Sequence, residues 1–142
     1  MLHNELTGVI IEAFYKVYNT LGYVFLEAVY QKSLAYELRQ RGLHIEEQVP
    51  IRVYYEGQPV GDYYADVVVN GCVILELKTV ENLGREHDAQ LINYLRATDI
   101  EVGLLLKFGP KPDFKRKVFA NYRKAHWKAR QDLNMDGHEK VE

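Results

Sequence analysis

The chain has 142 residues, 47% hydrophobic and 27% charged, which supplies a core for one folded domain and excludes a disordered chain. No apolar run approaches the ~20 residues of a membrane helix, and no basic region followed by an apolar stretch opens the chain, so neither a membrane protein nor a secreted one is expected. Cys72 is the only cysteine; an intrachain disulfide is excluded, a cytoplasmic protein is expected, and its place in a predicted strand reads as packing.

Asn4 is a candidate N-cap for a first helix, in which Leu6, Ile10, Ala13, Phe14, Val17 and Leu21 share one face. Gly22 ends it in a predicted left-handed conformation. A second helix is predicted over 26–41, closed by Gly42. Leu26, Tyr30, Leu34 and Leu38 form its apolar stripe, with Glu27 and Gln31 beside it. Taken alone, Glu27 reads as a first-turn acid facing the helix dipole, and Tyr30 as a core aromatic. Residues 48–55 alternate as a strand exposed on one face, and Pro50 suits an edge. Residues 56–59 predict a turn, followed by a strand entering near Val60.

The chemistry concentrates in residues 64–78. Two β-forming runs flank Asn70-Gly71, a hairpin signal. Asp66, Glu76 and Lys78 interrupt otherwise apolar strands, and buried charge is costly unless it is paired, hydrogen-bonded or metal-bound. Strand alternation puts Glu76 and Lys78 on one face. A two-residue loop would put Asp66 on the other face, whereas an odd-numbered loop brings it to theirs. A three-residue loop Val69-Asn70-Gly71, with Gly71 left-handed, meets that requirement. Two carboxylates and a lysine would then converge, and hard oxygen ligands of this kind suit Mg²⁺ or Mn²⁺.

A third helix is predicted over 85–98, with His87, Gln90, Leu91, Tyr94, Leu95 and Thr98 on one broad face. Gln90 and Tyr94 stack at a spacing of four, and amide and phenol can hydrogen-bond a phosphate or water. They could equally be a polar pair docking the helix, and His87 reads as structural. Residues 102–106 are nearly continuous apolar sequence, a central strand. Residues 114–119 suggest an edge strand, and 121–133 a basic helix with Trp127 as an anchor. The net charge of −2 conceals a division: residues 107–130 hold nine basic residues and one acid. That segment either meets a phosphate backbone or is simply a solvated surface.

Asp66, nine intervening residues, then Glu76-Leu77-Lys78 resembles the core motif of the PD-(D/E)XK nuclease superfamily. Leu21-Gly22 with Glu27 and Tyr30 resembles the signature of its GxxExxY family. Val49-Pro50-Ile51 and residues 54–61 resemble that family's first strand and turn. His87, Gln90 and Tyr94 resemble its second helix, and Gln90 to Tyr94 looks like the QxxxY motif of RecB-type and phage exonucleases. The resemblance implies one α/β domain over 1–142, with a restriction-endonuclease-like αβββαβ core, a mixed sheet flanked by helices, and 120–142 as a basic helical extension. It implies a Mg²⁺- or Mn²⁺-dependent nuclease acting on nucleic acid, with DNA the expected partner. Asp66, Glu76 and the Leu77 carbonyl would hold the metal. Lys78 would orient water or stabilise transition-state charge, Gln90 and Tyr94 would position water or phosphate, and Glu27 would bind metal through water or orient a neighbour. The alternative is a noncatalytic module that keeps the fold to bind nucleic acid or protein.

Overall fold

The computed structural model describes residues 2–126. The elements run α1 (Asn4–Leu21), α2 (Glu27–Gln40), β1 (Ile45–Tyr55), β2 (Gln58–Val69), β3 (Val73–Lys78), α3 (Arg85–Ala97), β4 (Val102–Phe108) and β5 (Pro112–Val118), then a 3-10 turn, Asn121–Arg123. The strands form one sheet in the order β1-β2-β3-β4-β5. β3 and β4 are parallel and joined through α3, while the other neighbours are antiparallel. This is the expected three-strand meander, helical crossover and returning strand.

Helices cover both faces, which is why β4 is buried along its whole length and reads as an unbroken apolar run. On one face Leu75, Leu77, Leu104, Leu106 and Phe108 meet Ile10 and Phe14 of α1 and Tyr30 and Leu34 of α2. Tyr30 stacks on Phe108 at 4.2 Å between ring centroids, the core role read for it. On the other face Ile74 and Leu105 pack with Leu91, Tyr94 and Leu95 of α3. Each such side chain contributes roughly 1.5–3 kcal/mol of burial. Gly103 sets how close α3 sits: a Cβ there would lie 2.6 Å from Leu91 Cδ1.

Several boundaries differ from expectation. Asn4 is the first helical residue rather than the cap; His3, at φ 53, occupies the N-cap without a side-chain bond. Gly22 has positive φ but ψ −157, outside the left-handed helical region. β1 starts earlier, at Ile45, and places Pro50 mid-strand, tolerated because β1 is an edge. The turn before β2 uses only Glu56 and Gly57, both at positive φ.

The β2–β3 loop is odd-numbered as required, but shifted by one residue. Val69 pairs with Val73, so the loop is Asn70-Gly71-Cys72, and Cys72 lies in the loop, not in a strand. Asn70 (φ 52) and Gly71 (φ 64) are both left-handed, and the Cys72 N–H donates to the Val69 carbonyl at 2.9 Å. Asn70 can make the first turn because its side chain also accepts the His44 N–H at 2.8 Å. The α-helix expected to start at residue 121 does not: residues 121–123 are 3-10. The remainder of that expectation, with Trp127, lies outside the described residues.

Candidate active site

Continuing the β2–β3 register past Val67↔Leu75 sets Asp66 opposite Glu76. There the ordinary ladder gives way to side-chain bonds. The Asp66 N–H donates to Glu76 Oε2 at 2.9 Å, and the Leu77 N–H donates to Asp66 Oδ2 at 2.8 Å. Each carboxylate is thereby fixed by the other strand's backbone. Asp66 Oδ1 and Glu76 Oε1 are the oxygens not committed to a backbone N–H.

β1 explains why Asp66 points into the cleft. The β1–β2 pairing runs regularly to Glu47↔Val67 and resumes at Val49↔Ala65. Between them Gln48 is left-handed, at φ 51. Ile45 and Val67 pack toward α1 and α2, whereas Ile51 and Ala65 pack toward α3. In a regular strand those pairs would share a face. The pleat therefore reverses at Gln48 and Asp66, and the carboxylate lies at the reversal. Gln48 Nε2 donates to Gln31 Oε1 at 2.8 Å and reaches Asp66 Oδ1 at 3.5 Å. Gln31 in turn donates to Glu47 at 3.2 Å. Sequence reading passed over Gln48 because no glycine or turn residue marks the reversal.

Lys78 follows Glu76 on the same face of β3, and its Nζ donates to Gln90 Oε1 at 2.7 Å. The Gln90 amide donates to the Tyr94 hydroxyl at 3.1 Å. Tyr63, on β2 beyond the reversal, packs on Tyr94 at 5.8 Å between centroids. The predicted Gln90–Tyr94 pair is thus joined to the lysine. His87 has the structural role read for it: its Nδ1 accepts the Gly84 N–H at 2.9 Å and caps α3.

Charge in this cluster is unbalanced. Glu76 is only 2% exposed. Burial first, then the neighbouring Asp66, pushes its carboxyl up to about 8 from the usual 4.5. Burial also raises Asp66, against the Leu77 N–H, the Lys78 ammonium and Gln48. Glu27, at the start of α2, is raised by burial and by Asp66, with Lys78 opposing. Burial first, then Glu76 and Asp66, raises the Tyr94 phenol, with the Gln90 hydrogen bond opposing. Three acids thus feel one another beside a single lysine.

Among the described residues no group of three or more His, Cys, Asp and Glu side chains forms a metal cage. Asp66 and Glu76 instead offer few, hard oxygen donors held side by side. That set fits a hard divalent cation holding several waters, rather than a closed structural site.

A sequence model described as the PD-(D/E)XK nuclease superfamily matches residues 4–117, a span that holds every residue of this cluster. No curated protein matches the chain. Among solved structures, one titled "Crystal structure of SSO0001" aligns with TM-score 0.54 and 19% identity over 76% of this chain. This chain spans 57% of that protein's length, and the likeness concerns the fold.

Proposed function

The chain belongs to the PD-(D/E)XK nuclease superfamily, and from that premise we propose that it is a metal-dependent phosphodiesterase that cleaves nucleic acid. One observation carries the reading: Asp66 and Glu76 are locked side by side by reciprocal backbone bonds, next to a Lys78–Gln90–Tyr94 chain. A purely structural network would be expected to neutralise its acids, and this one leaves them in excess.

Asp66, Glu76 and the Leu77 carbonyl are the proposed ligands of Mg²⁺ or Mn²⁺. A divalent cation there supplies Lewis acidity, acidifying water and polarising a phosphoryl oxygen. The protein's own groups do the positioning. Gln90 accepts a hydrogen bond from the Lys78 ammonium and thereby fixes its position; its other two N–H bonds would orient a nucleophilic water or steady charge on the phosphoryl oxygens. Tyr94 accepts from Gln90 and keeps its own proton to donate toward phosphate. Gln48 and Gln31 hold Asp66 from the α2 side, and Glu27 adds an acceptor at the rim that can hold a water.

DNA is the proposed substrate, supported by the Gln90-to-Tyr94 spacing, which resembles the RecB-type QxxxY motif. Membership of the GxxExxY family belongs to the same proposal, supported by Glu27 at the cluster's edge and Tyr30 in the core. The test is Mn²⁺-dependent cleavage of single- and double-stranded DNA and RNA, with Asp66→Asn purified in parallel. Cleavage by wild type and none by the variant is the expected result. A wild type that binds metal and nucleic acid but cuts nothing would make the chain a binding module.

A further inference from the structure

Adjacent residues of a β-strand point to opposite faces, yet Glu47 and Gln48 both bond the same side chain. Gln31 of α2 donates from Nε2 to Glu47 Oε1 at 3.2 Å, and its Oε1 accepts from Gln48 Nε2 at 2.8 Å. The left-handed backbone of Gln48, at φ 51, is what brings both toward α2. Glutamine seldom takes that conformation, whereas glycine enters it freely. A strained residue inside a strand is kept where its side chain is used.

The bonds also have a direction. A carboxylate accepts and does not donate. Glu47 Oε2 accepts from Arg39 Nη1 at 3.2 Å, and Arg39 Nη2 donates to the Ile45 carbonyl at 3.0 Å. With Glu47 held as an acceptor, Gln31 turns its NH₂ to Glu47 and its carbonyl to Gln48. Gln48 must then turn its own NH₂ inward, and the second N–H of that group reaches Asp66 Oδ1 at 3.5 Å. Oδ1 is the oxygen left over once Oδ2 has accepted the Leu77 N–H. The last contact is long, so its polarity matters more than its strength. A reversed amide would set the Gln48 carbonyl against Asp66 Oδ1, acceptor facing acceptor, and repel the carboxylate that it now steadies.

Arg39 lies in the last turn of α2 and Glu27 in the first, so the relay starts at the far end of that helix from the acid beside the site. The Arg39 and Glu47 side chains are 48% and 26% exposed, and an ion pair so exposed contributes little to stability. What it supplies is direction. We propose that the Arg39–Glu47 pair is a positioning element for Asp66, acting through Gln31 and Gln48 to keep Oδ1 set for a divalent cation. This inference rests on the reading of Asp66 as a metal ligand. Partners that hold a ligating carboxylate are worth about 10–100-fold in metal affinity.

The test measures Mn²⁺ affinity by calorimetry in the full chain, with the metal-free melting temperature alongside and Asp66→Asn as the baseline. Gln48→Gly should melt no lower than wild type, because glycine suits the left-handed backbone, yet bind Mn²⁺ about tenfold more weakly. Gln31→Met keeps the side chain's length, removes both ends of the amide and should lose about as much. The double variant should lose no more than either single one, whereas independent contributions would multiply to about a hundredfold. Glu47→Gln both donates and accepts, which frees the two amides to reverse, and it should bind Mn²⁺ several-fold more weakly. Glu46→Gln removes the same charge one residue away, from an exposed side chain outside the relay, and should bind as wild type does.

Gln48→Gly with wild-type affinity would overturn the inference, and so would losses that multiply in the double variant. Equal losses in Glu46→Gln and Glu47→Gln would also overturn it, reducing the effect to charge at a distance. No Asp66-dependent Mn²⁺ binding by wild type would remove the metal site and this inference with it. Relay variants that lose Mn²⁺ affinity, in a protein that cleaves neither DNA nor RNA, would uphold the inference while the nuclease reading fails.

Discussion

Glu76 keeps its proton toward neutrality because ionising it would add charge beside Asp66 in a site that water barely reaches. Its folded value, about 8, lies above the ordinary 4.5. The folded protein therefore binds this proton more tightly than the unfolded chain does. The resulting stability is fully present below about pH 4.5 and is lost as pH rises through about 8. Glu76→Gln is neutral throughout, so without divalent metal it should melt higher than wild type by a margin that grows across that window. Parallel melting profiles in EDTA would mean that Glu76 is already ionised. Lys78→Ala tests the other charge. Lysine has no acceptor for a cation, so metal binding should survive, whereas cleavage should fall roughly 100-fold or more, as on deleting one transition-state donor. Equal rates would remove the role assigned to Lys78. These residues were legible because charge inside an apolar strand needs a reason. Glu27 was legible only through resemblance. Gln48 and Tyr63 were not legible: each looks like an ordinary alternating residue until the pleat reversal at Gln48 turns the ribbon's faces over.

The β2–β3 hairpin shows how an element carries the site. Its loop must hold an odd number of residues, or Asp66 would leave the face of Glu76. Left-handed Asn70 and Gly71 make that loop in little space. A Cβ at Gly71 would meet nothing within 4 Å, so the cost of substitution is conformational and not steric. Gly71→Val should destabilise the fold by about 1–2 kcal/mol, read as a lower urea midpoint with unchanged slope. A larger loss with a changed slope would indicate that the strand pairing itself had slipped. Parity was readable from the positions of Asp66 and Glu76, but the loop's exact residues were not. Val69 fits the end of a strand or the start of a loop equally well in sequence, and the Asn70–His44 bond that decides the matter comes from a segment far away in the chain. The same long-range dependence explains the missed start of β1: Ile45 is a strand residue because Val69 pairs with it.

At the scale of the molecule, the basic segment after residue 107 turned out to be partly spent on the fold. Lys107 is buried and donates to the Glu81 carbonyl, Lys115 and Lys117 face Asp88, and Arg123 lies over the Phe119 ring. Lys124, buried, donates to the Thr98 and Ile100 carbonyls. Composition could show the charge excess but not these partners, which belong to α3, the segments on either side of it and the residue just after β5. The site's excess is of the opposite sign, and its relief is a global event. A cation that binds the folded site and not the unfolded chain stabilises the whole domain by mass action, about 2.7 kcal/mol at a hundredfold excess over Kd. For a domain of this size that is roughly 5–15 °C in Tm. Mg²⁺ or Mn²⁺ should therefore raise the melting temperature of wild type, and most strongly above pH 8, where Glu76 no longer holds a proton that the cation must displace. Asp66→Asn and Glu76→Gln should start from a higher metal-free Tm and gain much less on adding metal. Lys78→Ala should gain at least as much as wild type, because a repelling charge is gone. The same shift in all four proteins would put the cation elsewhere on the surface, and no shift in wild type would leave the two carboxylates as a proton-sharing pair with no metal to join them.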